Sequence, residues 1–516
     1  MTTLKKIGKI IFSQKTTIIL LLMAQIAFIV FTFFKLSEQY TYLNIVFTII
    51  ALALTVHILN KSTNPAYKLA WIIPLLLMPL FTVVAYFVLM NQYGTKKVVK
   101  AHAKKCIETK PYMKQNDKVL NSLNIEDKNV YHLARYMDKF GGYPTYQNTE
   151  VEYFRIGEDK FEAIKRELRC ARHFIFMEYF IIDQGEMWSE IEAILLQKAS
   201  EGVDVRLMYD GMGSQSLLPY RYDKKLREKG IKCCVFNPFR PMLSSIQNNR
   251  DHRKILVIDG HTAFTGGINL ADEYINRKER FGHWKDTAVM LKGDAVWNFT
   301  MMFLQLWEIT YGEGLATDYD KYRPEVHMPT KIQSDGYVMP YGDSPLDNEN
   351  VGELVYMNII NSAKDYVYIM TPYLILDNEM ITALGYAAKS GIDVRIIVPG
   401  IPDKWYVKSI GWSYYRELIE LGVKIYEYNG FIHAKSFVSD DTTAVVGTIN
   451  LDYRSLYLHF ECAAYMYKLP CVDDVKKDFL NIQKNNCVEV TLEMCEKRSF
   501  INKVISAGLR TLAPLL

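Results

Sequence analysis

Two stretches of this chain repeat the same residues in the same register. DHRKILVIDGHTAFTGGINL (251–270) and IHAKSFVSDDTTAVVGTINL (432–451) both read H-x-K-x4-D-x6-G-[GT]-I-N-L. His252 matches His433, Lys254 matches Lys435, and Asp259 matches Asp440, and the register continues through Gly266 with Gly447 and Asn269 with Asn450. One H-x-K-x4-D match arises easily by chance, but two with the same downstream Gly and Asn do not. Each also closes a longer repeat. FIFMEYFIID (174–183), a helical stretch ending at Gly202 and VDVRLMYDG (203–211) in the first half answer YVYIMTPYLILD (366–377), a helical stretch ending at Gly391 and IDVRIIVPG (392–400) in the second. Strand, helix, strand in each half predicts parallel strands in an α/β layer, and a duplicated unit predicts two halves about a pseudo-twofold axis.

Within an extended strand, His and Lys two residues apart project from one face, with Ile255 and Val257, or Ser436 and Val438, on the other. Two His and two Lys then converge on one cleft, which suits a phosphodiester. One neutral imidazole can attack phosphorus while a second, protonated, releases an alkoxide. Lys254, Lys435 and the amides of Asn269 and Asn450 are expected to hold the phosphoryl oxygens. Each imidazole needs an acceptor on its other nitrogen, and Asp286 and Glu461, at comparable points on later strand-like segments, are proposed as that orienting pair. Asp259 and Asp440 complete the six-residue catalytic motif, with a role closer to holding loops or the lysines than to carrying protons. No metal site or cofactor motif is found, and DGMGS (210–214) reads as a turn rather than a phosphate loop.

Net charge sharpens this picture. The 516 residues carry 61 basic and 57 acidic groups, yet residues 1–105 hold twelve lysines and one acid, Glu38. The remainder has a net charge of −7, which argues against a nucleic-acid partner. Three uncharged stretches, Thr16–Phe34, Gln39–Asn60 and Leu69–Thr95, predict a membrane anchor over 1–95 with two or three hydrophobic helices. Pro74 and Pro79 mark the last of these as a kinked or re-entrant piece. Flanking lysines place both the N-terminus and the catalytic part on the cytoplasmic side. A polar linker (96–140), two α/β domains (141–330 and 331–490) and an amphipathic tail (491–516) complete the expected layout. In the tail, Ile501, Val504, Ile505, Leu509 and Leu512 recur at helical spacing, for a lipid surface or for packing on the protein. Eight cysteines without a C-x-x-C pair read as ordinary thiols.

The paired motif strongly resembles the phospholipase D superfamily, whose signature is two HKD motifs. TPYLILDNEM (371–380), GFIHAKSFVSDDTTAVVGTINLDYRS (430–455), NPAYKLAWIIPLLLMPLFTVVAY (64–86) and the terminal LAPLL (512–516) are similar to bacterial cardiolipin synthases. The resemblance implies two tandem phospholipase D-like α/β repeats behind N-terminal transmembrane helices. It also implies a multi-pass cell-membrane enzyme that acts on phospholipids without a cofactor, converting two phosphatidylglycerol molecules to cardiolipin and glycerol. By the same resemblance His252 is the nucleophile and His433 the acid and base, although the near-symmetric halves leave that choice open. One departure is LHFE (458–461), where many members have Asn in place of His459. A lipid hydrolase or nuclease using water, and a non-catalytic membrane scaffold, are the rival readings. The sequence carries no sign of oligomeric state.

Overall fold

The computed structural model describes residues 41–90, 93–238, 248–312, 318–328, 330, 332–347 and 349–515. The expected segment Thr16–Phe34 lies outside the described residues. The chain divides into a small helical unit and a large α/β unit that begins at Val98.

In the small unit, α1 (Thr41–Leu59), α2 (Pro65–Leu77) and α3 (Pro79–Met90) follow one another. Asn64 starts α2 by accepting the Ala66 N–H at 3.0 Å, ahead of Pro65 at the first helical position. Pro79 has no N–H to continue α2, so the chain breaks at Met78 and restarts as α3. Ala51, Ile58, Ile72, Leu75, Val83 and Tyr86 pack together, while Ile45, Ile49, Leu52, Leu69, Ile73 and Leu76 face outward. An apolar exterior of this kind suits lipid. Of the expected hydrophobic helices, α1 falls on Gln39–Asn60, and α2 and α3 cover most of Leu69–Thr95. Among the described residues only Tyr42–Leu59, 18 residues long, is long and apolar enough to cross a membrane. Leu69–Thr95 is not one span, because Pro79 divides it.

The large unit contains two equivalent halves. The first holds β1 (Thr149–Phe154), β2 (Phe174–Tyr179), β3 (Asp204–Asp210), β4 (Lys232–Phe236), β5 (Arg250–Asp251), β6 (Lys254–Ile258), β7 (Thr262–Gly266), β8 (Trp284–Lys285) and β9 (Ala288–Gly293). The second holds β10 (Tyr337–Asp343), β11 (Tyr366–Met370), β12 (Asp393–Pro399), β13 (Lys424–Tyr428), β14 (Phe431–Ile432), β15 (Ser436–Ser439), β16 (Thr443–Gly447), β17 (His459–Tyr467) and β18 (Cys487–Glu489). Sheet orders are β1-β9-β7-β6-β2-β3-β4 and β10-β17-β16-β15-β11-β12-β13-β18. The sheets are mixed rather than wholly parallel. β2, β3 and β4, and likewise β11, β12 and β13, run parallel through helical crossovers, as expected. The motif strands β6–β7 and β15–β16 return antiparallel. Their turns use residues at positive φ: Asp259 (48°) and Gly260 (69°), then Asp440 (52°) and Asp441 (56°).

Helix α4 (Val296–Tyr311) joins the halves. Trp297, Phe299, Met301, Phe303, Leu304 and Trp307 are all buried, so it packs on most of its sides. Its residues share one core with Phe176, Ile255 and Val257 of the first sheet and Met370, Ile397 and Val438 of the second. The halves also exchange backbone. β5 pairs in parallel with β17, setting Arg250 opposite His459 and Asp251 opposite Phe460. β14 pairs in parallel with β8, setting Phe431 opposite Trp284 and Ile432 opposite Lys285. The two exchanges are equivalent, as an approximate twofold relation requires.

Candidate active site

The exchanged strands deliver both motif histidines. The His252 N–H donates to the Phe460 carbonyl at 2.9 Å, and the His433 N–H donates to the Lys285 carbonyl at 2.6 Å. Neither histidine lies inside a continuous strand. Each occupies a break between a two-residue strand held by the opposite half and the motif strand of its own half. The expectation of one unbroken strand carrying His and Lys is corrected accordingly.

Each imidazole therefore meets the carboxylate of the other half. His252 Nδ1 lies 2.9 and 3.0 Å from the two Glu461 oxygens, and His433 Nδ1 lies 2.7 Å from Asp286 Oδ2. Asp286 immediately follows β8 and Glu461 lies within β17, so the strand that clasps a histidine also supplies its carboxylate. Both carboxylates are fully buried. Further contacts fix them. Thr448 Oγ1 donates to Glu461 Oε2, and the Thr287 N–H donates to Asp286 Oδ1 at 2.8 Å. At the position matching Thr448, Gly267 leaves room for Asp286, since a Cβ there would fall 2.0 Å from Asp286 Oδ1. Gly267→Ala is expected to displace this carboxylate and lower kcat by about 100-fold with little change in KM, as steady-state assays would report.

Lys254 and Lys435 are buried, and each Nζ donates to the carbonyl of its motif histidine. Burial lowers Lys254 to about 8 and Lys435 to about 7, so an arriving phosphodiester anion would favour their charged forms. Burial also outweighs the carboxylates at the imidazoles, lowering His252 to about 3 and His433 to about 4. Burial opposes ionisation of Glu461, but His252 beside it prevails and lowers its pKa. The resting site thus holds neutral imidazoles against ionised carboxylate. Unfolded histidine titrates near 6.5, so the unfolded chain gains protons below that value which the folded chain refuses. Each imidazole's stabilising contribution is complete above pH 6.5 and lost as pH falls toward its folded value. Between pH 7 and 5 the expected loss is about 2 kcal/mol per imidazole. Thermal unfolding in detergent should show the decline, and His252→Asn should make it shallower.

Aromatic rings wall the site. Phe180 stands edge-on to His252 at 5.0 Å, while Tyr274, Trp284 and Phe431 surround His433 at 5.5, 5.5 and 5.8 Å. Lys160, missed in the sequence, is buried near Asp286 and donates to the Ile268 carbonyl at 3.2 Å. No local spacing marks it, because it reaches the motif from a preceding helix, Gly157–Cys170.

Other expected residues take different places. Asp259 accepts the N–H groups of Arg172, His173 and Phe174 at 2.8 to 2.9 Å, and Asp440 those of Lys364, Asp365 and Tyr366 at 2.8 to 3.1 Å. Both stand at the far end of the motif strand and tie down the entry to β2 or β11. Their inclusion in a catalytic set is corrected to the loop-holding role. Asn269 is likewise committed to the protein, as Oδ1 accepts the Ile181 N–H at 3.0 Å and Nδ2 donates to the Tyr274 hydroxyl at 2.7 Å. Asn450 Nδ2 lies 3.3 Å from Asp452 Oδ2. Each of these contacts uses one hydrogen of the NH2 group, which leaves the other for the expected donation to a phosphoryl oxygen. Asp210 caps Met212 and Gly213 at 2.7 and 2.9 Å, the turn expected for DGMGS.

Known proteins share both the sequence and the fold of this chain. A family model described as cardiolipin synthase, PLD-like domain, matches residues 164–307 and 356–483, and a phospholipase D-nuclease N-terminal model matches residues 49–89. An uncharacterized protein of Streptococcus mutans is 48% identical over 89% of this chain and 99% of its own length. A cardiolipin synthase of Alkalihalophilus pseudofirmus is 34% identical over 92% of this chain and 94% of its own. In fold, the chain is similar to the crystal structure of a phosphatidylserine synthase from Haemophilus influenzae, with a TM-score of 0.57 at 14% identity, covering 74% of this chain and 97% of that one.

Proposed function

The chain belongs to the cardiolipin synthase family of phospholipase D-like proteins, and on that premise we propose that it joins two phosphatidylglycerol molecules into cardiolipin, releasing glycerol. The observation that carries this reading is the pair of buried His–carboxylate contacts, each crossing between halves and each beside a buried lysine. Glu461 accepts the Nδ1 proton of His252, leaving the Nε2 lone pair free to attack phosphorus. An N–P bond forms, the P–O bond to glycerol breaks, and a protonated His433 gives its Nε2 proton to the departing oxygen. His433 is neutral at rest, and the phosphodiester's negative charge favours the proton it needs. It then takes the proton from a hydroxyl of the second phosphatidylglycerol. That oxygen attacks phosphorus, the P–N bond breaks, and His252 is restored. Lys254 and Lys435 offset charge on the phosphoryl oxygens. One phosphodiester replaces another, so the exchange needs no nucleotide.

The membrane setting follows the same reading. Helix α1 spans the bilayer, α2 and α3 form the bent segment, and flanking lysines hold the catalytic part on the cytoplasmic face. Cys170 is free and exposed, so an impermeant maleimide should label it only after the membrane is opened. The C-terminal helix α6 (Phe500–Leu512) lies against α5 (Trp405–Glu420) through Ser506 on Ser409 at 3.0 Å and Arg510 on Glu417 at 2.8 Å. Its apolar Phe500, Ile501, Val504 and Ile505 are exposed, which supports a lipid-surface role over packing. Truncation before Ser499 is expected to lower kcat/KM on phosphatidylglycerol in micelles severalfold, as steady-state assays would measure.

The deciding experiment supplies phosphatidylglycerol in micelles to the purified chain and identifies the products. Cardiolipin with glycerol supports the transferase. Phosphatidic acid with glycerol would assign a hydrolase instead.

A further inference from the structure

His459 is a third imidazole in the site, and the steps above give it no task. Its side chain is 11% exposed, and its ring lies 5.6 Å from that of His252. Both ring nitrogens are buried with no hydrogen-bond partner among the described residues. A buried imidazole with two empty nitrogens is costly unless something occupies them. His459 Nδ1 faces the same carboxylate that holds His252, at 3.7 Å from Glu461 Oε1. One ligand atom from each of His252, His459 and Glu461 lies within 4.8 Å of the others.

We propose that His252, His459 and Glu461 form an inhibitory site for a zinc-class divalent cation. Two imidazoles and one carboxylate suit such an ion, which takes nitrogen and oxygen ligands at about 2.0 to 2.2 Å. Those bond lengths require the three ligand atoms, now within 4.8 Å of one another, to draw together. Lys254 opposes the cation, and its Nζ is committed to the His252 carbonyl. Binding at His252 Nδ1 moves the ring proton to Nε2, which removes the lone pair that attacks phosphorus. The cluster is silent in the sequence because its ligands come from both halves: β17 brings His459 and Glu461 to the strand that leads into His252.

The test uses the full chain in detergent and reads binding separately from turnover. Co2+ should give a visible ligand-field band at one equivalent, and Zn2+ should displace it. Zn2+ should also stop cardiolipin formation reversibly, with activity restored by EDTA, whereas Mg2+ should not act. His459→Asn should raise the inhibitory Zn2+ concentration at least about tenfold and abolish the Co2+ band. Glu461→Gln, read for binding alone, should also abolish the band. Equal Zn2+ sensitivity or an unchanged Co2+ band in His459→Asn would overturn the site. So would stoichiometric zinc binding that left turnover intact.

Discussion

Glu461→Gln is expected to lower kcat on phosphatidylglycerol by about 10³- to 10⁴-fold while the protein stays folded. The carboxylate accepts the Nδ1 proton of His252 through both oxygens, which fixes the tautomer with a free Nε2. A glutamine can instead present its NH2 group to Nδ1, and that holds the imidazole in the tautomer unable to attack. Size and shape are nearly conserved, so the loss should fall on kcat rather than on substrate binding. Because this carboxylate serves the histidine of the other half, the energetic coupling should follow space rather than sequence. Glu461→Gln should add almost nothing to the loss in His252→Ala, whereas Asp286→Asn should be non-additive with His433→Ala. Steady-state kinetics on the two double-mutant cycles provide the measurement. Coupling of each carboxylate to the histidine in its own half would contradict the strand exchange.

The second large effect separates the two imidazoles by chemistry. His433→Ala is expected to reduce turnover of phosphatidylglycerol by about 10³-fold or more, because glycerol leaves poorly without a proton. A phosphatidyl ester of p-nitrophenol needs no such proton. With that substrate, His433→Ala should release a near-stoichiometric burst of nitrophenolate, then stall for want of a base to activate the incoming hydroxyl. His252→Ala should give no burst with either substrate. The reverse pattern would assign attack to His433, and the surrounding residues make the comparison informative. His433 is enclosed by Tyr274, Trp284 and Phe431, and Lys435 Nζ lies 2.9 Å from its Nδ1. His252 is held by Glu461 alone on that nitrogen and borders Phe180 and His459.

Much of this was readable from the sequence because the motif is duplicated. Two copies with matched Gly and Asn positions mark strand, turn and strand, and local chemistry fixes those elements. Asp259 and Asp440 sit where the turn demands positive φ, and their carboxylates gather three N–H groups apiece, which a short polar side chain does well. What could not be read is partnership across the halves. Spacing placed Asp286 and Glu461 on later strands of the two halves, but only the pairing of β5 with β17 and of β14 with β8 decides which histidine each reaches. The same holds for Gly267 and Thr448. The motif shows the two residues as alternatives at one position, and packing explains why: one clears space for Asp286 and the other donates to Glu461. Lys160 and the empty nitrogens of His459 depend on burial, which no local pattern encodes. In the anchor, Pro74 and Pro79 marked Leu69–Thr95 as a bent piece, and the chain breaks at Pro79.

The most direct test of the covalent mechanism is to trap its intermediate. Wild-type chain mixed with phosphatidylglycerol, quenched in alkaline detergent and digested, should yield a peptide containing His252 that carries one phosphatidyl group, identified by mass spectrometry. The account predicts the adduct on His252, its loss in His252→Ala, and its accumulation in His433→Ala supplied with the nitrophenyl ester. An adduct confined to His433, or cardiolipin formed at full rate with no adduct on either histidine, would contradict it.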